Sequence, residues 1–174
     1  MRIREATPAD AGPIAELQAR SWRVTHADRL TEAEIDALVE GSVLPNLRWT
    51  LEHRPDYWRM WIAEDGGTVV GFASTSPSTD TDVRPSDRVG EVTAVYADPD
   101  RQGRGIGSAL LAHAIADLAE RTERVTLWVA EDNAAARGFF EARGWEADGA
   151  TTVDLVGEVL LPVVRYRRAP EPAP

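Results

Sequence analysis

A chain of 174 residues has the length of one domain, and a domain of this size buries roughly 70% of its unfolded surface, a core that holds without metal or disulfide. It has no cysteine and its 19 basic residues are all arginine, which excludes disulfides, thiolate metal sites, acyl-cysteine intermediates and lysine catalysis. A net charge of −10 opposes general nucleic-acid binding, which needs surplus positive charge; with no apolar run near the ~18 residues of a membrane span, a cytoplasmic protein is expected.

Arg2 to Ala6 alternates as a short strand, and Thr7-Pro8-Ala9-Asp10 supplies turn and cap chemistry for a helix through Arg20, with Ile14, Leu17 and Trp22 spaced to face a core. A second helix is predicted over Thr31 to Glu40, where Ile35, Leu38 and Val39 recur at helical spacing, and a short third over Leu44 to His53. Tyr57 to Glu64 and Thr68 to Ser76 are β-rich runs joined at Asp65-Gly66-Gly67, a hairpin signal, so these strands are expected to be antiparallel neighbours. Ser76 to Val89 is rich in Ser, Thr, Asp and Pro and reads as a mobile loop bordering a cleft.

Beyond it come a strand (Glu91 to Ala97), a helix (Gly105 to Glu120), a strand (Arg124 to Ala130), a helix (Asn133 to Arg143), a strand within Trp145 to Leu155 and a last one over Gly157 to Arg167. The strand-helix-strand unit from Glu91 to Ala130 should be parallel and right-handed. This order gives one mixed sheet with helices on both faces. Residues 1–168 form the expected domain, and 169–174 read as a disordered proline-rich tail.

The most informative stretch is Val95-Tyr96-Ala97-Asp98-Pro99-Asp100-Arg101-Gln102-Gly103-Arg104-Gly105-Ile106-Gly107-Ser108, a strand, a glycine turn and a helix start. Alternate glycines strip the turn of side chains, so backbone N–H groups can close on an anion, and the helix adds its first-turn amides and positive dipole end. A phosphate-bearing cofactor is expected. A dinucleotide fingerprint is a poor match because Ser108 stands where a third Gly or Ala belongs. A Walker loop needs a lysine, which the chain lacks.

Gln102-x-x-Gly105-x-Gly107 after Val95 to Pro99, followed some 25 residues later by Asn133-Ala134-Ala135-Ala136-Arg137-Gly138-Phe139-Phe140 and Gly144-Trp145, resembles the two signature segments of the GNAT superfamily of acyl-CoA-dependent N-acetyltransferases. The resemblance implies an α+β fold, three layers α/β/α around a mixed, mostly antiparallel sheet of about seven strands. It implies acetyl-CoA as co-substrate and direct transfer of the acetyl group to a primary amine of a small molecule or peptide. By the same resemblance, the main chain at Val95, Tyr96 and Ala97 receives the pantetheine arm. Gln102, Gly103, Arg104, Gly105, Ile106, Gly107 and Ser108 cradle the pyrophosphate, with Arg101 as a further candidate cation. Asn133 and Phe140 complete the cofactor set, and a homodimer is implied by analogy.

Glu91 lies 11 positions before Gln102, the spacing of a general-base glutamate in some relatives, and alternation puts it on a face with Thr93 and Val95. At Phe140 many relatives carry the tyrosine that protonates the departing thiolate, and phenylalanine has no proton to give. Tyr96, Tyr166 or a water could take its place, although none has the matching motif position. A non-catalytic acyl-CoA-binding module of the same fold is the alternative. His26, His53 and His113 form no metal-ligand pattern, so no metal is expected. The aromatic first half, Trp22, Trp49, Tyr57, Trp58 and Trp61, could wall an alkylammonium or simply pack a core.

Overall fold

The computed structural model describes residues 1–168; the tail expected at 169–174 lies outside them. Seven strands, β1 (Arg2–Glu5), β2 (Arg59–Asp65), β3 (Thr68–Pro77), β4 (Val89–Ala97), β5 (Arg124–Ala130), β6 (Glu146–Val156) and β7 (Val159–Arg168), form one sheet in the order β1-β2-β3-β4-β5-β7-β6. The β1–β2, β2–β3, β5–β7 and β6–β7 pairs are antiparallel and β4–β5 is parallel, the mixed α+β sheet expected. The helices are α1 (Ala11–Thr25), α2 (Glu32–Leu38), α3 (Leu44–His53), α4 (Ile106–Ala119) and α5 (Ala134–Glu141). The chain divides into two compact units, Met1–Thr75 with Ala94–Ala114, and Ser76–Thr93 with the chain from Ile115 onward.

In the first unit the sheet carries helices on both faces. A Cβ at Gly71 on β3 would meet Ile106 and Leu110 of α4, while its neighbour Phe72, on the opposite face, joins Ile14 and Leu17 of α1, Leu51 of α3 and Ile62 of β2 in a buried cluster, against which Ala94 and Tyr96 of β4 pack. The hairpin between β2 and β3 turns where the glycine pair demands it, with Gly66 and Gly67 at φ of 57° and 82°. α1 runs five residues past the expected end at Arg20. Ser21 and Thr25 turn their hydroxyls back to the Leu17 and Ser21 carbonyls at 3.0 and 2.9 Å, which lets small polar residues continue the helix.

The second and third predicted helices are one continuous run. Thr31 and Glu34 form a reciprocal cap at its start, a π-helical turn over Val39–Val43 joins α2 to α3, and Arg54, left-handed at φ 42°, ends it. In the second unit α4 covers one sheet face: a Cβ at Gly90 would meet Leu118 and Thr122. Glu91 therefore projects from the other face. The segment expected to be a mobile loop begins after Pro77, contains a 3-10 turn at Pro85–Asp87, and is fastened to the sheet by Asp80 and Asp82, both bonded to Arg165 of β7.

Candidate active site

In the first unit, β4 runs into a 3-10 turn (Pro99–Arg101) and then into the glycine loop and α4. Asp98 organises this exit. It is buried, its backbone N–H donates to the Val70 carbonyl at 2.9 Å, its carboxylate accepts from the Asp100 N–H at 3.2 Å, and Arg20 of α1 approaches it at 3.4 Å. Pro99 follows at the first position of the turn, where its missing N–H costs nothing. Asp-Pro after a strand was a readable signal for this cap.

Gln102, Gly103, Arg104 and Gly105 are all exposed. Gly103 and Gly105 sit at φ of 75° and 78°, and nothing stands within 4 Å of a Cβ built on either. The loop thus presents bare main chain to open space. Ile106 is buried and anchors the first turn of α4, whose start is closed by the Ala109 N–H donating to the Gly105 carbonyl at 3.0 Å. The N–H groups of Ile106, Gly107 and Ser108 belong to the turn that lacks intrahelical acceptors, at the positive end of the helix dipole. Arg101 is engaged by Asp65 at 2.9 Å, whereas Arg104 makes no ion pair among the described residues and is the loop's available cation.

Val95 and Ala97 are half-buried, with Tyr96 between them turned into the core. The Tyr96 ring stacks on Phe72 at 4.9 Å and its hydroxyl accepts a hydrogen bond from Trp22 Nε1 at 3.2 Å.

In the second unit β4 runs parallel to β5 over Val89–Glu91, paired with Arg124–Thr126, while β5 continues to Ala130. Glu91 ends that paired stretch. Burial pushes its carboxyl up to about 7, reinforced by the Asp80 carboxylate, opposed by the Arg165 guanidinium and raised slightly further by Asp154. It makes no hydrogen bond among the described residues. Such a group is half-ionised near neutral pH, where a general base is most effective.

Asn133 caps α5, its side-chain oxygen accepting from the Ala136 N–H at 3.0 Å, which leaves the amide N–H₂ unengaged among the described residues. Phe140 is buried, with edge contacts to Phe139 and Trp145 at 5.2 and 6.0 Å. The Tyr166 hydroxyl is occupied on both sides, accepting from Arg137 Nε at 3.1 Å and donating to Glu141 at 2.5 Å. Sequence reasoning missed the group around Arg165. Its Nη1 donates to Asp80 and Asp82 at 3.0 and 2.7 Å, its Nη2 to Asp82 at 2.7 Å and its Nε to Asp148 at 2.9 Å. Partners separated by up to 85 residues leave no local pattern to find.

Among the described residues no three His, Asp or Glu side chains gather as a metal site, and no helix is long and apolar enough to cross a membrane.

The family model described as "Acetyltransferase (GNAT) family" matches residues 14–145. A Mycobacterium tuberculosis protein named a probable N-acetyltransferase is 34% identical over 173 residues, 96% of this chain and 92% of its own. A mycothiol acetyltransferase of Amycolatopsis mediterranei is 40% identical over 101 residues, 53% of this chain and 34% of that longer protein. Among solved structures, the PaiA N-acetyltransferase of Thermoplasma acidophilum in complex with coenzyme A superposes with a TM-score of 0.76 at 17% identity, covering 97% of this chain and 98% of its own. The YncA protein of Salmonella typhimurium, solved with acetyl-CoA, gives 0.71 at 20% identity and covers 100% and 96%. This chain belongs to the GNAT family of acetyltransferases.

Proposed function

We propose that this acetyltransferase, one catalytic domain over residues 1–168, carries an acetyl group from acetyl-CoA directly to a primary amine of a small molecule or peptide. The observation that carries the reading is the exposed glycine loop with open space at Gly103 and Gly105 at the mouth of α4. A pyrophosphate bridge would take its main-chain donors from Gln102 through Ser108 and its countercharge from Arg104. The pantetheine arm would bond the backbone of Val95, Tyr96 and Ala97 as an added strand, and the free amide of Asn133 would donate to the same cofactor. Phe140 offers this cofactor only an apolar wall.

Transfer needs a neutral amine, and the proton goes from the acceptor ammonium to the Glu91 carboxylate. The amine then attacks the thioester carbon, a carbon–nitrogen bond forms, the carbon–sulfur bond breaks and the CoA thiolate leaves, while the second proton, lost from the now cationic nitrogen, restores the one given to that thiolate. Tyr96, whose oxygen accepts from Trp22 Nε1, is the proposed proton donor to that thiolate. A CoA thiolate is a fair leaving group near neutral pH, so the family tyrosine replaced by Phe140 lowers the rate without being indispensable. The reading includes a cytoplasmic enzyme and a homodimer. The exposed Val153, Leu155 and Leu160 of the β6–β7 hairpin support the latter.

Calorimetric titration with acetyl-CoA, with CoA and NADH as comparators, tests the donor. Micromolar acetyl-CoA affinity is expected, and turnover is then read over a panel of amines that includes the acceptor of mycothiol acetyltransferases. Binding without turnover on any amine would favour a non-catalytic acyl-CoA-binding module, and tighter binding of NADH would overturn the site. With an active amine, kcat/KM should rise as pH passes through about 7, and Glu91→Gln should lose that rise.

A further inference from the structure

Arg165 is 8% exposed and engages three carboxylates with all three nitrogens of its guanidinium. Two of them, Asp80 and Asp82, come from the segment between β3 and β4, and Asp148 comes from β6. Asp80 is held a second time by Trp128 of β5, whose indole Nε1 donates to Asp80 Oδ1 at 3.0 Å while Arg165 takes Oδ2 at 3.0 Å. Both oxygens are therefore fixed. Arg165 and Trp128 are register partners on β7 and β5, with the guanidinium 5.6 Å from the indole ring, and Thr126, two residues before Trp128, is the register partner of Glu91. Alternation along β5 puts Thr126 and Trp128 on one face, so Glu91, Trp128 and Arg165 share it. Asp154 faces this group from β6.

A three-carboxylate grip on one cation exceeds what anchoring a connection requires. Asp82, which is 60% exposed and meets Arg165 through both oxygens, already supplies a bidentate ion pair, the strong form of this contact. Asp80 adds a half-buried carboxylate oriented by two donors from two strands, on the sheet face that Glu91 shares with Trp128 and Arg165.

We infer that Asp80 is a positioning residue for the transfer reaction: gripped by Arg165 and Trp128, it carries a fixed negative charge from the segment between β3 and β4 onto the sheet face from which Glu91 projects. The inference rests on Glu91 as the base. A fixed like charge disfavours a second one nearby, so Asp80 holds Glu91 ready to take a proton from the acceptor ammonium instead of remaining a spent carboxylate. Arg165 works against this electrostatically and for it geometrically. It attracts a charge on Glu91, but its own charge is shared among three acids, and without it Asp80 would leave the face.

The decisive variant is Asp80→Asn, which keeps an oxygen for Trp128 and removes the charge, while Asp82 and Asp148 retain Arg165. Two readouts are taken on the full chain: the ionisation of Glu91 followed by carboxyl carbon-13 NMR, and kcat/KM against pH. The Glu91 midpoint is expected to fall, and the ratio of kcat/KM at pH 6 to that at pH 8 to rise about threefold. Asp82→Asn, which also loosens the grip on Arg165 but removes a charge that is not among those acting on Glu91, is expected to leave the midpoint in place. An unmoved midpoint in Asp80→Asn overturns the inference, as does an equal movement in Asp82→Asn, which would mean general loosening. Should Asp80→Asn not fold, Trp128→Phe removes the N–H that orients Asp80 and should move the midpoint in the same direction. If Glu91→Gln keeps the acidic limb of the profile, the base reading fails, and the NMR midpoint still judges Asp80.

Discussion

Gly71 and Gly105 are required for different reasons, and substitution separates them. A Cβ at Gly71 would lie 2.7 Å from Ile106 Cγ2, 2.8 Å from Leu110 Cδ1 and 2.9 Å from the Tyr96 carbonyl oxygen. The carbonyl belongs to a strand and cannot swing aside, so Gly71→Ala should cost about 1–3 kcal/mol through overpacking. For a chain of this size that lowers the melting temperature by roughly 2–4 °C per kcal/mol. Gly105 has free space at its Cβ and a left-handed backbone at φ 78°. Gly105→Glu costs about 1–2 kcal/mol of strain while setting bulk and negative charge where the cofactor phosphates would sit. Calorimetry should find acetyl-CoA binding lost in Gly105→Glu with the fold retained by circular dichroism. Retained affinity would remove the loop from the cofactor site. Alternate glycines made the second role readable from the sequence. The packing demand at Gly71 depends on α4, some 35 residues downstream, and leaves no sign in its own neighbourhood.

At the scale of elements, α5 has eight residues and one well-defined cap, too short to be stable without tertiary packing. Asn133→Ala removes the bond to the Ala136 N–H and should cost about 1 kcal/mol, read as a lower melting temperature. If Asn133 also donates to the cofactor, acetyl-CoA affinity falls too, whereas Asn133→Asp, which keeps the capping oxygen and loses the amide donors, should preserve stability and weaken binding alone. Every strand and helix assigned from periodicity and turn chemistry has a counterpart, because capping, glycine turns and apolar spacing are local. What periodicity missed lies in continuity. The apolar spacing of Ile35, Leu38 and Val39 does not record that the helix widens into a π turn at Val39–Val43 instead of stopping. Composition made Ser76 to Val89 look mobile, since Ser, Asp and Pro favour loops. The ion pairs that fasten it depend on an arginine in the last strand.

For the molecule as a whole, acidity acts on stability in two opposite directions, and pH separates them. Arg4 and Thr7 hold the buried Asp10 carboxyl down to about 2 from its ordinary 3.8, chiefly through the bidentate Arg4 bonds at 2.8 Å. A carboxyl depressed in the folded state contributes stability above its unfolded value and loses it as pH falls through the folded one. Asp82, held by Arg165, and Asp87, held by the Arg84 backbone, act in the same sense, so the melting temperature should climb between pH 2 and about 4. Glu91 has the opposite sign. Raised from 4.5 to about 7, it binds its proton more tightly in the folded chain. It is therefore neutral to stability below 4.5 and costs the fold increasingly as pH rises to 7, by up to about 3 kcal/mol at pH 8. Glu91→Gln should leave the acid side of the curve unchanged and raise the melting temperature at pH 8 while abolishing the pH-dependent turnover. A site retained at the expense of stability is what a working base requires. Equal melting temperatures for the two proteins at pH 8 would mean that Glu91 is solvated and has no raised proton affinity to use.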